Sequence, residues 1–145
     1  MKILLDIQEK YREPEIHICC DRRSKEALSL RNLLEEILLA KITVHKDQET
    51  RFLAAYEIVR IYSESRRVYA RTATDVFEVR DRLYALDESL SDRGFVRISN
   101  SEIVNIMQIE KIDMSYAGTI KMYMKNGDVT YVSRRYVARI KEVLN

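Results

Sequence analysis

The chain has 145 residues, 46% of them hydrophobic and 33% charged, with a formal net charge of +2. That suits one domain with a real core, or one domain and a small appendage. No run approaches the roughly 18 apolar residues of a membrane span, and the opening residues alternate like a strand instead of forming a signal-peptide core, so no membrane insertion and a cytoplasmic protein are expected.

Residues 2–7 and 15–20 read as strands, with Arg12, Glu13 and Pro14 as the turn between them. Pro14 lacks a backbone donor and belongs outside a central ladder. The two cysteines, Cys19 and Cys20, are neighbours in the apolar run IHICC. On a strand they point to opposite faces and are poor disulfide partners. They read as small hydrophobes in a reduced protein, with a reactive thiol as the alternative. With only His17 and His45 besides, no Cys/His spacing suggests zinc. Ser24 is a candidate N-cap for a helix whose wide apolar stripe runs Ala27, Leu28, Leu30, Leu33, Leu34, Ile37 and Leu38, with Leu39 at its edge. That stripe is wider than a two-stranded hairpin needs, and packs on the rest of the chain or on a second copy.

From about Lys41 the period changes from helical to two. Residues 42–46 and 49–53 are strands joined by Asp47 and Gln48, and 58–62, 68–72 and 76–79 follow, with Thr74 and Asp75 closing one hairpin. Residues 81–90 form a helix with Leu83, Leu86 and Leu90 on one face, then 95–98, 103–105 and 109–114 return to strands. Strands 119–124 and 129–132 flank Lys125, Asn126, Gly127 and Asp128, and Asn-Gly between alternating runs is a strong hairpin signal. Ser133 then caps a last helix over 134–144. The class is mostly β with small helices (α+β): residues 1–44 form a β-β-α segment and 45–145 the main domain.

No Gly-rich phosphate loop, nucleophile elbow or metal-ligand motif is present. The expectation is a protein with no catalytic residues, metal, cofactor or small-molecule substrate. Three loops carry better signals. The first holds Arg66 and Arg67 after Ser63, Glu64 and Ser65; the second holds Asn100 between Ser99 and Ser101, after Arg97; the third is Ser133, Arg134, Arg135 and Tyr136. Arg, Asn and Ser are the residue types that contact phosphates and base edges. Each loop alone also reads as a turn with polar caps. Residues 115–145 hold six basic residues against two acidic ones, a modest cationic footprint that a solvated helix face would also give. Of the nine tyrosines, Tyr62, Tyr69, Tyr116, Tyr123, Tyr131 and Tyr136 lie on or beside strands and read as sheet residues with buried rings and wet hydroxyls, the alternative being a stacking surface for single strands.

The densest motif is GFVRISNSEIVN over residues 94–105, preceded by EIVRIYSES at 57–65 and FEVR at 77–80 and followed by VSRRYV at 132–137. In this order the fragments resemble the LytTR family of bacterial transcription regulators, over about residues 45–145. The resemblance implies an elongated stack of small antiparallel sheets that binds double-stranded DNA sequence-specifically, with loops and not a helix entering the major groove. It carries the contact residues onto Arg66, Asn100 and Arg135, with Arg67, Arg97 and Arg134 beside them. Many relatives bear a phospho-acceptor receiver domain in front; 44 residues cannot hold one, so Asp6 is not read as a phosphorylation site. A homodimer through residues 1–44 would engage paired half-sites. The competing readings are a protein-interaction module acting through the Leu-rich helix without DNA, and an RNA binder using exposed tyrosines.

Overall fold

The computed structural model describes residues 6–10, 15–20 and 24–145. The chain divides into two units, Met1–Leu34 and Glu35–Asn145. In the first, helix α1 (Lys25–Leu39) starts as its cap predicts, the Ser24 hydroxyl oxygen accepting from the Ala27 amide at 3.1 Å. Leu33 and Leu38 on this helix are exposed. Residues 15–20, expected as a strand, lie outside both sheets, because alternation marks a face and does not supply a pairing neighbour. Most of the expected strand at 2–7, and the turn at Arg12, Glu13 and Pro14, fall outside the described residues. Cys19 and Cys20 are free and exposed, not packed as the apolar reading expected.

The second unit holds ten strands among the described residues. Seven form one antiparallel sheet: β1 (Lys41–Lys46), β2 (Glu49–Ala54), β3 (Ile58–Glu64), β4 (Arg67–Thr72), β5 (Val76–Val79), β6 (Phe95–Ser99) and β7 (Glu102–Asn105), in the order β2-β1-β5-β4-β3-β7-β6. Three form a smaller sheet, β8 (Ile109–Asp113), β9 (Ile120–Met124) and β10 (Val129–Val132), in the order β10-β9-β8. Two hairpins turn on two residues with both φ positive, Asp47 and Gln48 (51° and 68°) and Ser65 and Arg66 (49° and 66°). Such turns match the right-handed twist of the strands. In the β9–β10 turn Gly127, at φ 89°, takes the left-handed place that Asn-Gly advertised.

The large sheet is buried on both faces at its β3-β7-β6 end, and on one face at most over the remaining strands. A bulge between Ile58 and Arg60 puts Val59 on one face while Ile58 and Ile61 share the other. Ile58, Ile61, Phe95 and Ile103 pack with Leu83, Leu86 and Leu90 of α2 (Leu83–Leu90). On the opposite face Val59, Val96, Ile98 and Val104 pack with Ile120, Met122, Met124 and Val132 of the small sheet. Ile140 of α3 (Val137–Leu144) closes that second core.

Two helix starts differ from the sequence expectation. α2 begins at Leu83 with Arg82 at the N-cap, so Asp81 stays outside it. Residues Arg134–Tyr136 form a 3-10 turn before α3, and the Ser133 hydroxyl donates toward the Ile98 carbonyl at 3.4 Å instead of capping a helix.

An ionic network joins the sheets. Arg60 donates to Asp128 at 2.9 Å and to Glu102 at 3.0 Å, Arg71 donates to Asp128 at 3.0 Å, and Thr130 donates to Glu102 at 2.8 Å. Burial alone would raise the Asp128 carboxyl, but hydrogen bonds from Arg71 and Arg60 outweigh it and hold it below the usual carboxylate range. Burial alone would lower Arg60; Asp128 and Glu102 reverse that and raise it.

Because Asp128 holds its proton less tightly when folded, its contribution is full above its unfolded value of about 4 and is lost as pH falls through the lower folded value. Asp128→Asn should lower the melting temperature at neutral pH by several degrees, equivalent to roughly 1–3 kcal/mol, since Arg71 loses its carboxylate. It should also flatten the acid limb of the stability curve. Coincident melting curves for variant and parent between about pH 6 and pH 3 would refute the role of this network.

Candidate nucleic-acid interface

The two hairpin turns that carry the expected contacts lie at one end of the large sheet, because their strands are neighbours. β3 pairs with β7 through Tyr62 and Glu102, and β6 with β7 through Ser99 and Glu102. The β3–β4 and β6–β7 turns therefore stand side by side, tied by a hydrogen bond from the Ser63 amide to the Ser101 carbonyl at 2.8 Å. The third loop arrives from the small sheet. As β10 ends, the Ser133 amide donates to the Ile98 carbonyl at 2.9 Å, and the Tyr136 hydroxyl donates to Asn100 Oδ1 at 3.0 Å. Loops some 35 residues apart in sequence are thus chained by three hydrogen bonds, one of them between side chains.

The expected residues differ in what they have free. Arg66 is exposed at the tip of a turn whose central residues are both left-handed. Such φ values cost a non-glycine residue something. The Asp47–Gln48 turn bears the same strain with no cation at its tip, so the strain alone marks no site. Arg67 is exposed and meets Glu78 at 3.4 Å, an ion pair weakened by solvent. Asn100 is exposed, and with its oxygen engaged by Tyr136 it presents its amide donors outward. Arg134 and Arg135 are exposed, with no ion pair among the described residues; the Arg134 stem lies over Gly118, where a Cβ would come within 3.1 Å of its Nε.

Arg97 is different. Its Nε donates to the Ser99 carbonyl at 3.0 Å and its Nη2 to the Asn100 carbonyl at 2.8 Å, while Nη1 lies 3.7 Å from Asp87 on α2. Its guanidinium braces the β6–β7 turn from beneath, and only about a fifth of the side chain is exposed.

Tyr136, placed by the sequence in the third loop but given no contact of its own, ties that loop to the β6–β7 turn. Arg80 and Arg82 were passed over. Val68 pairs with Val79, so the β5–α2 junction stands beside Arg67 at the same end of the sheet. Arg66, Arg67, Arg80, Arg82 and Tyr84 line one open cleft. The signal in the sequence was the spacing Arg80-x-Arg82 next to a helix start, which means little until the strand register is known. Elsewhere, Tyr116 and Tyr131 are exposed and stack edge to face at 6.5 Å, against the expectation of buried rings. Among the described residues no group of three or more His, Cys, Asp or Glu side chains could hold a metal ion, and no helix is long and apolar enough to cross a membrane.

The LytTr DNA-binding domain family model matches residues 48–145. An HTH-type transcriptional regulator of Staphylococcus aureus strain MSSA476 is 34% identical over 146 residues, covering 100% of this chain and 99% of that protein. A counterpart from strain NCTC 8325 is 33% identical with the same coverage. Among solved structures, a LytTr DNA-binding domain from Bacillus cereus superposes with a TM-score of 0.70 at 19% identity, over 73% of this chain and 97% of that one. The relatives align along the whole chain, so the residues ahead of the family match have counterparts in them. Among the described residues here, no two α-helices follow one another without a strand between them.

Arg97→Ala should loosen the β6–β7 turn without unfolding the sheet, because two carbonyls lose their donors. Hydrogen exchange at the Ser101 amide, which donates to Ser99 Oγ, should speed up by tenfold or more, about 1.4 kcal/mol of lost local protection, while amides in β4 keep theirs. Unchanged exchange in the turn would show that Arg97 does not hold it.

Proposed function

The chain belongs to the family of LytTr DNA-binding domains, and on that footing we propose that it regulates transcription by sequence-specific binding to double-stranded DNA through the three clustered loops. The single observation that supports this reading most is the convergence of Arg66, Asn100, Arg134 and Arg135 at one end of the large sheet, with exposed donors and a shared hydrogen-bond chain through Tyr136. No helix pair is needed for it. Loops on a rigid sheet enter the groove, and the surrounding cations dock on phosphates. Arg97 acts through the turn it braces, and its first role is to aim Asn100.

The presented groups are nearly all donors. Arg66 and Arg135 carry guanidinium forks, and Asn100 offers its amide hydrogens while its oxygen is occupied. In the major groove guanine offers two acceptors, O6 and N7, that a fork meets bidentately. Guanine is therefore the favoured partner at two of the read positions.

The segment 1–44 is proposed as the dimer contact. Leu33 and Leu38, both exposed on α1, belong to the wide apolar stripe that the sequence gives this helix, and large exposed apolar patches mark interfaces. Closed two-fold dimers are the commonest assemblies, and two linked half-sites multiply affinity through effective concentration.

Arg135→Ala should weaken binding to a selected duplex by about 1–3 kcal/mol, with the fold intact, and Asn100→Ala should do likewise while relaxing preference at one position. Selection of bound duplexes from a random pool, followed by titration of the variants, measures both effects. Equal affinity of parent and variants for the selected duplex would remove these residues from the site. In sedimentation, the double variant Leu33→Glu, Leu38→Glu should run as a monomer where the parent runs as a dimer; a parent that is already monomeric at high concentration refutes the dimer.

A further inference from the structure

We infer that Arg80 and Arg82, at the junction of β5 and α2, form a phosphate-binding patch that holds the duplex backbone beside the bases read by the loops. This deepens the DNA-binding reading above and depends on it. It assigns residues that the loop motifs do not contain.

Three observations carry it. The first is register. Val68 pairs with Val79, so the chain leaving β5 emerges next to Arg67 and at the same end of the sheet as the β3–β4 and β6–β7 turns. The second is charge. Arg66, Arg67, Arg80 and Arg82 line one cleft, against Glu78 and Asp81. Glu78 is engaged by Arg67 at 3.4 Å, and among the described residues no carboxylate comes within ion-pair distance of Arg66, Arg80 or Arg82. Arginines left exposed and unpaired beside a binding surface are suited to planar, charged recognition of phosphate oxygens.

The third is spacing. In the strand order β5-β4-β3-β7-β6, the β6–β7 turn lies three and a half strand spacings from β5, or about 17 Å at ~4.8 Å per strand. The major groove is about 12 Å wide. With the two hairpin turns in the groove, the β5 end of the row falls on its wall, where the phosphates are. Asn100 sits at the end of the row that reads bases, and Arg80 and Arg82 at the end that meets backbone. An acidic segment of another protein could pair with four arginines too, but the continuity of this cleft with the loop cluster favours the duplex.

The test uses the full chain. Arg80→Gln, Arg82→Gln is compared with the parent on a selected duplex and on a scrambled one, across a series of salt concentrations. Each phosphate contact contributes about 0.9 to the slope of log affinity against log salt, so the double variant should lose about 1.8. Its affinity should fall by the same factor on both duplexes, leaving the ratio between them unchanged. Arg80→Lys, Arg82→Lys should restore most of the slope. Trimming the selected duplex on the side the patch covers should bring the parent down to the variant's slope and leave the variant unmoved. A variant with the parent's slope on every duplex overturns the patch while leaving loop-based binding intact, and is the result expected if the arginines serve an acidic protein segment. A parent that binds neither duplex at low salt overturns the DNA-binding reading itself, and the patch with it. Matching thermal melts for parent and variants exclude unfolding as the cause.

Discussion

The network of Arg60, Arg71, Glu102, Asp128 and Thr130 is the contact on which the placement of the third loop depends. It joins β3, β4 and β7 of the large sheet to β10 and the turn before it. Its four charged side chains are between 13% and 28% exposed, so each charge has given up most of its water. Ion pairs of this kind are weak sources of net stability, because desolvation offsets the Coulomb gain. Their geometric demand is strict, though. The hydrophobic contacts between the two sheets, Val59 and Val104 against Met122 and Met124 among others, are non-directional. The hydrogen bonds from Arg60 to two carboxylates are directional. Once Asp128 and Thr130 are held, β10 runs out at Ser133 beside Ile98, and the chain must pass Asn100. One polar network within an apolar interface thus sets where Arg134 and Arg135 emerge.

Much of the second unit was legible in the sequence, for a physical reason. Strands buried on one face alternate, and the spacing of Val76 to Val79 or Val129 to Val132 gives their bounds directly. Asn126-Gly127 marks its turn because the left-handed conformation is nearly free for glycine. The misses share a different cause. Ser133 has the right chemistry for an N-cap, but a carbonyl on a strand 35 residues earlier takes its hydroxyl. Arg97 looks like a free cation in the motif, and its donors go to carbonyls two and three residues on. The alternation of residues 15–20 reads like a strand, yet neither described sheet contains it. Local composition states what a residue can do; partners that come from elsewhere in the chain decide what it does.

The same distinction separates the arginines at the loop end of the sheet. They carry one sign of charge, and for the exposed ones solvent and salt screen most of the mutual repulsion. Two are balanced: Arg67 by Glu78, and Arg97 by Asp87 and by the carbonyls beneath it. Arg66, Arg80, Arg82, Arg134 and Arg135 have no such carboxylate among the described residues. The identity of the side chain is the same in all seven. Pairing divides them into two that stiffen the scaffold and five left with unspent donors.

That division also bears on how little must be ordered when a ligand arrives. Ser65 and Arg66 make a two-residue turn between paired strands, and the β6–β7 turn is held by Arg97 from below and by Ser99 Oγ, which accepts from the Ser101 amide at 3.2 Å. The Asn100 side chain is already held by the Tyr136 hydroxyl. Fixing a rotamer-rich side chain on binding costs about 0.5–1.5 kcal/mol, and fixing a backbone residue about 1–2 kcal/mol. Short, internally bonded turns have met most of the backbone share during folding. What remains is the freedom of the exposed arginine side chains, and guanidinium groups are planar, so less of that freedom is lost per hydrogen bond formed. Side chains carried on turns of this build are fixed by neighbouring strands, and their order along the sheet edge follows the strand order and not the order of the sequence.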